Sequence, residues 1–272
     1  MMLFNDFGRI VPSKACRVFS RSGKSFYRLN LTEVTHAMRY SRAIKLGVLS
    51  NKVNVSKIKS AHKFLLNEIE SDHELKSILN GTAIPFAITL TNLPDDIGKQ
   101  LEDYLLPLLK YNFEKGNPKA LFKAVIQGDN QLANSFGVAS ETRYDKFLDC
   151  VQKSTVAGFY FPTALQEYDI ASQRLQLKKL PKISQFDICV SGHLEIIYSL
   201  LMYPTLLNHP EAYSPILCAS ALIHSDERMV PIFKSYGPHC EFWLLSQMMT
   251  TKQTQVSEQW SGGLTFYKMI HE

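Results

Sequence analysis

Apolar positions recur at three- and four-residue intervals in five stretches, residues 32–48, 55–70, 94–113, 118–153 and 193–203, the spacing of one face of an α-helix. Thr32 can cap the first, with Val34, Met38 and Ala43 along one face. Ile58, Ala61, Leu65 and Ile69 form the stripe of the second. Pro94-Asp95-Asp96 opens the third, where Pro107 predicts a kink. The fourth divides into helices over Pro118–Ile126, Gln131–Phe136 and Glu141–Lys153. Ile84–Leu90, Thr155–Phe161, Phe186–Val190 and Leu264–Ile270 are short β-branched or aromatic runs and read as strands, and weak alternation through residues 15–31 allows short strands there. The expected fold is α+β and predominantly helical. The turn signal Asn80-Gly81 divides it into a basic N-terminal module, 1–80, and a larger mixed C-terminal module, 81–272. No repeat of fixed period is visible.

The 272 residues, 45% hydrophobic and 20% charged, have an ordinary globular composition. No apolar run approaches the roughly 20 residues of a membrane span, because the longest such stretch, Ile188–Leu207, carries His193, Glu195 and Pro204. Cys16, Cys150, Cys189, Cys218 and Cys240 are odd in number and widely spaced. That spacing predicts free thiols in a reducing, cytoplasmic setting, with neither disulfides nor a structural metal site. The net charge of +5 is unevenly spread. Met1–Lys63 carries thirteen Lys/Arg and two acids, a net +11, and the rest of the chain is net negative. Such asymmetry predicts a basic arm or face for a polyanion. Residues 8–28 also have the Arg- and Ser-rich, acid-free composition of an organellar transit peptide, but a basic arm of the folded protein is the expectation. Phe4, Phe7, Phe19, Phe26, Tyr27 and Tyr40 interleave with its cations. They can anchor the arm or stack on unpaired bases.

Within NQLANSFGVASETRYDKFL, residues 130–148, a small Ala133 precedes a turn at Gly137, followed by Val138, by Ser140 and Thr142 as caps, and by Phe147-Leu148. This segment resembles the helix-turn-helix of bacterial DNA-binding proteins. The resemblance implies a second helix laid in the major groove, with Ser140, Thr142, Arg143 and Lys146 reading base edges. Phosphate contacts fall to Arg17, Arg21, Lys24, Arg28, Lys52, Lys57 and Lys59. The implied partner is nucleic acid, DNA before RNA, with protein subunits of a nucleoprotein complex as possible companions. A fainter echo of the same spacing lies in Ala43, Leu46-Gly47-Val48, Ser50 and Val53, ringed by Lys45, Lys52, Lys57, Lys59 and Lys63.

The rival reading is a cysteine-dependent transferase or hydrolase. Cys189 would be its nucleophile, His193 its base and Asp187 the orienter, beside amide donors at Ser191-Gly192. The flanking Phe186, Ile188 and Val190 weigh against it, since they predict a covered strand and an inert thiol. His224, Asp226, His239 and Cys240 can bind metal, but their spacing fits no compact site. No glycine-rich loop or nucleophile motif calls for a cofactor.

Overall fold

The computed structural model describes residues 3–23, 27–32, 34–90, 93–115, 119–125, 132–250, 253–254 and 256–270. In chain order the elements are α1 (His36–Lys45), α2 (Val55–Ser71), β1 (Ile84–Ile88), α3 (Ile97–Lys99), α4 (Leu106–Lys115), β2 (Phe122–Val125), β3 (Phe136–Val138), α5 (Tyr144–Lys153), β4 (Thr155–Gln166), α6 (Ile170–Leu175), β5 (Asp187–Val190), α7 (His193–Met202), β6 (Ile216–Cys218), β7 (Leu222–His224), β8 (Met229–Tyr236), β9 (His239–Ser246), β10 (Met248–Thr250), β11 (Gln253–Thr254) and β12 (Trp260–Ile270). A π-helical stretch, Gln100–Leu105, joins α3 to α4. It widens the helix just ahead of Pro107, whose ring nitrogen has no proton to give the turn before it.

The fold is organised by one eight-stranded mixed sheet, with strand order β1-β4-β12-β6-β8-β9-β2 and β5 also paired to β12. The expectation of a predominantly helical chain is therefore corrected. Among the described residues helix takes 33% and strand 27%. The excess strand lies where local spacing misled. Pro118–Ile126 was expected to be helical, but Phe122–Val125 pairs in parallel with Cys240–Trp243 of β9. The stretch 216–246, which carries no helical or alternating signal, supplies β6 to β9.

The long strands β4 and β12 form the centre, paired antiparallel from Ser261↔Gln166 to Ile270↔Thr155. Their side chains alternate between two covered faces. On one face Phe159 lies 5.1 Å, ring to ring, from His62 of α2. On the other, Tyr267 meets Phe147 of α5 edge-on at 4.9 Å. Phe86 of β1, on this second face, also touches Phe147 and Tyr198 of α7. Helices thus cover both sides of β1, β4 and β12, which is why β4 is buried almost throughout. One core runs across Asn80-Gly81, joining Phe4, Ile58 and Leu65 to Ile84, Phe159 and Phe266. The five cysteines are free and buried. Among the described residues no helix is long and apolar enough to cross a membrane, and no cluster of His, Cys, Asp or Glu could hold a metal ion.

Candidate nucleic-acid interface

The stronger motif does not build its helices. Of residues 130–148, Asn130 and Gln131 lie outside the described residues, and 132–135 form a bend and turn. Phe136–Val138 is strand β3, paired antiparallel with Leu222–His224. Gly137, expected at a turn between helices, sits opposite Ile223 in that ladder. Among the described residues only the second helix forms, and it begins at Tyr144 after three left-handed non-glycine residues: Asn134, Glu141 and Arg143. Its proposed base-reading face is dispersed. Thr142 is buried and donates to Ala139 O at 2.6 Å. Lys146 is held by Asp187 at 2.6 Å. Ser140 is exposed and Arg143 half-buried.

The fainter echo does fall on two helices. α1 and α2 are joined by residues 46–54. Gly47 at φ +73 makes the left-handed turn that ends α1, the conformation glycine adopts without a Cβ penalty. Thr35 caps α1 by accepting from Met38 N, and Asn54 caps α2 by accepting from Ser56 N at 2.8 Å. Val48 and Leu49 are buried between the helices. Ile58, His62, Leu65 and Ile69 turn α2 onto the sheet. Each of the three aliphatic residues contributes roughly 1.5–3 kcal/mol on burial. His62 ties the hairpin together: its Nε2–H donates to Phe86 O at 2.8 Å, which leaves Nδ1 to accept from the Tyr40 hydroxyl of α1 at 3.2 Å. Burial pulls its pKa down to about 4, so the ring stays neutral.

This packing leaves Lys52, Ser56, Lys57, Lys59, Ser60 and Lys63 facing solvent. From Val34 to Asn67 the chain has seven Lys/Arg and no acid. Arg39 and Arg42 are spent on structure, Arg39 against Val34 O and the Tyr203 hydroxyl, Arg42 against Met202 O at the end of α7. Lys52, Lys59 and Lys63 have no acidic partner among the described residues. The arm's cations lie elsewhere. Arg17 and Arg21 are exposed, the backbone of Arg17 being fixed by Ser172 Oγ and the Arg21 guanidinium by Ser13 O. Arg28 is exposed beside Tyr213, whose carbonyl accepts from its backbone N–H at 2.8 Å. Lys24 and Phe26 lie outside the described residues.

The rival cysteine site is not assembled. Cys189 is fully buried in β5, and desolvation pushes its thiol well above the usual range. His193 Nε2 meets Gln100 Oε1 at 3.1 Å rather than a sulfur, and burial lowers its pKa to about 3. Asp187 faces outward in its ion pair with Lys146. Beside them lies an enclosed polar knot that the residue spacing did not reveal. Glu195 accepts from Thr265 Oγ1 at 2.6 Å and from the Tyr144 hydroxyl at 2.9 Å, and Ser191 Oγ lies 2.7 Å from Thr265 Oγ1. The only sign in sequence was a carboxylate and an imidazole inside an apolar stretch. All four residues are completely buried, which leaves a substrate no route to them. Comparison with protein-family models, curated proteins and solved structures finds no match to the chain.

Proposed function

We propose that the protein binds nucleic acid through the outward face of the α1–α2 hairpin, chiefly by contacts to the phosphate backbone. The observation that carries this reading is the row of exposed lysines, Lys52 in the turn between the helices and Lys57, Lys59 and Lys63 on α2, whose other side is fixed to the sheet. Helix stability does not account for such a row. Lys59 and Lys63 are a like-charged i,i+4 pair, which costs about 0.2–0.5 kcal/mol. Lys57 stands in a first turn that holds no acid, where the helix dipole disfavours a cation. A bound phosphate offsets the repulsion between Lys59 and Lys63. Duplex DNA and single strands both present that charge, and this face assigns no base-reading residue.

The test is a binding titration by fluorescence anisotropy at several salt concentrations. The wild type is expected to lose affinity steeply with salt, by about 0.7–0.9 in log K per log[salt] for each phosphate contact. Substituting Lys52→Glu, Lys59→Glu and Lys63→Glu together should weaken binding to every sequence and lower that slope by about two to three units. Absence of binding at low salt, or an unchanged slope in the triple variant, refutes the reading.

A further inference from the structure

An open cleft of about 580 Å³ lies between the N-terminal arm, the loop after α7 and the tip of the β8–β9 hairpin. That is within the roughly 300–1,000 Å³ of small-ligand sites. Its walls carry three tyrosines, Tyr27, Tyr213 and Tyr236, with Asn208, His209 and Gln259 among them. Tyr213 is 77% exposed and Tyr236 78%, the two most exposed large hydrophobic side chains among the described residues. Phenol rings left this open are the unusual observation, because a tyrosine ordinarily buries most of its ring. Neither position is loose. Tyr236 ends β8 at a two-residue turn, Gly237-Pro238. Gly237 has φ +57 and Pro238 cannot follow it into positive φ, which makes the turn type II′. Tyr213 is bridged to Tyr27, their ring centres 6.1 Å apart, and the Tyr27 hydroxyl donates to Glu258.

We infer that this cleft stacks the unpaired bases of a single-stranded nucleic acid, an inference that rests on the nucleic-acid reading of the α1–α2 face. Three features select that occupant. Flat, open rings offer a face to any base, whereas duplex bases already stack on each other and have none free. The polar groups of its lining include the side-chain amides of Asn208 and Gln259, the imidazole of His209 and the hydroxyls of Ser214 and Ser235, which between them donate and accept, as base edges do, with the Glu258 carboxylate taken up by the Tyr27 hydroxyl. Arg28, whose backbone N–H donates to Tyr213 O at 2.8 Å, adds an exposed cation next to this segment, of the sign a strand's phosphates need. The cleft is also tied to the lysine-bearing hairpin. Asn30 N donates to Leu206 O and its side-chain amide to Asn208 O, while Arg42 of α1 holds Met202 O.

The experiment compares a labelled oligothymidylate with a duplex of the same length by anisotropy, for the wild type, Tyr213→Ala/Tyr236→Ala and Tyr213→Phe/Tyr236→Phe. The alanine variant is expected to lose at least about tenfold in single-strand affinity, while duplex affinity stays unchanged and the phenylalanine variant, which keeps the rings, stays near wild type. A 5-iodouridine strand irradiated on the wild-type protein should place its adducts on Tyr213 or Tyr236, which tests the cleft without any substitution. Equal single-strand affinity in the wild type and alanine variants, or adducts only elsewhere, overturns the cleft and leaves the lysine face standing. Binding of duplex but not single strand does the same. Binding of neither removes both proposals.

Discussion

At the scale of single residues, Glu195 sets burial directly against charge. Desolvation raises its pKa from 4.5 to about 7, against hydrogen bonds from Thr265 and Tyr144 that favour the carboxylate. The unfolded chain therefore ionises this group at a lower pH than the folded one does. Folding loses stability as pH rises from about 4.5 to 7, by about 3 kcal/mol at roughly 1.36 kcal/mol per unit. His62 and His193 act in the opposite direction. Their folded pKa values, about 4 and about 3, lie below 6.5, so their contribution is intact above pH 6.5 and is lost as pH falls. Glu195→Gln isolates the first effect: its stability relative to wild type should rise by about 3 kcal/mol between pH 4.5 and 7, read by urea unfolding. A difference that stays flat with pH contradicts the assignment. The partners of Glu195 cannot be read along the chain, because Thr265 is 70 positions away and reaches it only through the pairing of β12 with β5. By contrast, the covered state of Cys189 was legible from the apolar residues on either side of it.

Among the elements, α2 is the one whose local signals and tertiary packing agree. Its stripe, its Asn54 cap and its basic outer face can all be read along the chain. Asn54→Ala removes the acceptor for Ser56 N and should cost about 1 kcal/mol, seen as a lowered urea midpoint with an unchanged slope. No loss would mean the cap is replaced by water. β2 and β3 are the opposite case. Phe122–Val125 and Phe136–Val138 take their conformation from partners more than 80 positions away, β9 and β7. Short segments with mixed propensity yield to such pairing. For that reason Gly137 lies in a ladder while Gly47, in the weaker of two similar spacings, makes the turn between helices. Of the candidate interface, the lysines were legible as charge. The tyrosine cleft was not, since Tyr27, Tyr213 and Tyr236 meet only in the folded molecule.

For the whole molecule, the continuous core predicts that residues 1–80 and 81–272 do not fold apart. A chain cut to residues 81–272 loses α2, exposing Phe159 and its neighbours on one sheet face. It should bind a hydrophobic dye and unfold without a sharp transition, whereas the intact chain should unfold in one step by fluorescence and circular dichroism alike. A cooperative transition in the cut chain would show instead that the larger part is a self-sufficient unit. The central position of β12 bears on time as well as on stability. Trp260–Ile270 follows every other strand in the sequence, yet it lies between β4 and β6 and also completes the pairing of β5. During synthesis on the ribosome the two flanks of the sheet must wait, each with an open edge, for a strand that has not yet been made. Such edges are the usual templates for mispairing between chains, so the nascent protein is most exposed to aggregation just before Trp260 emerges, and chaperones that shield strand edges should matter most at that point.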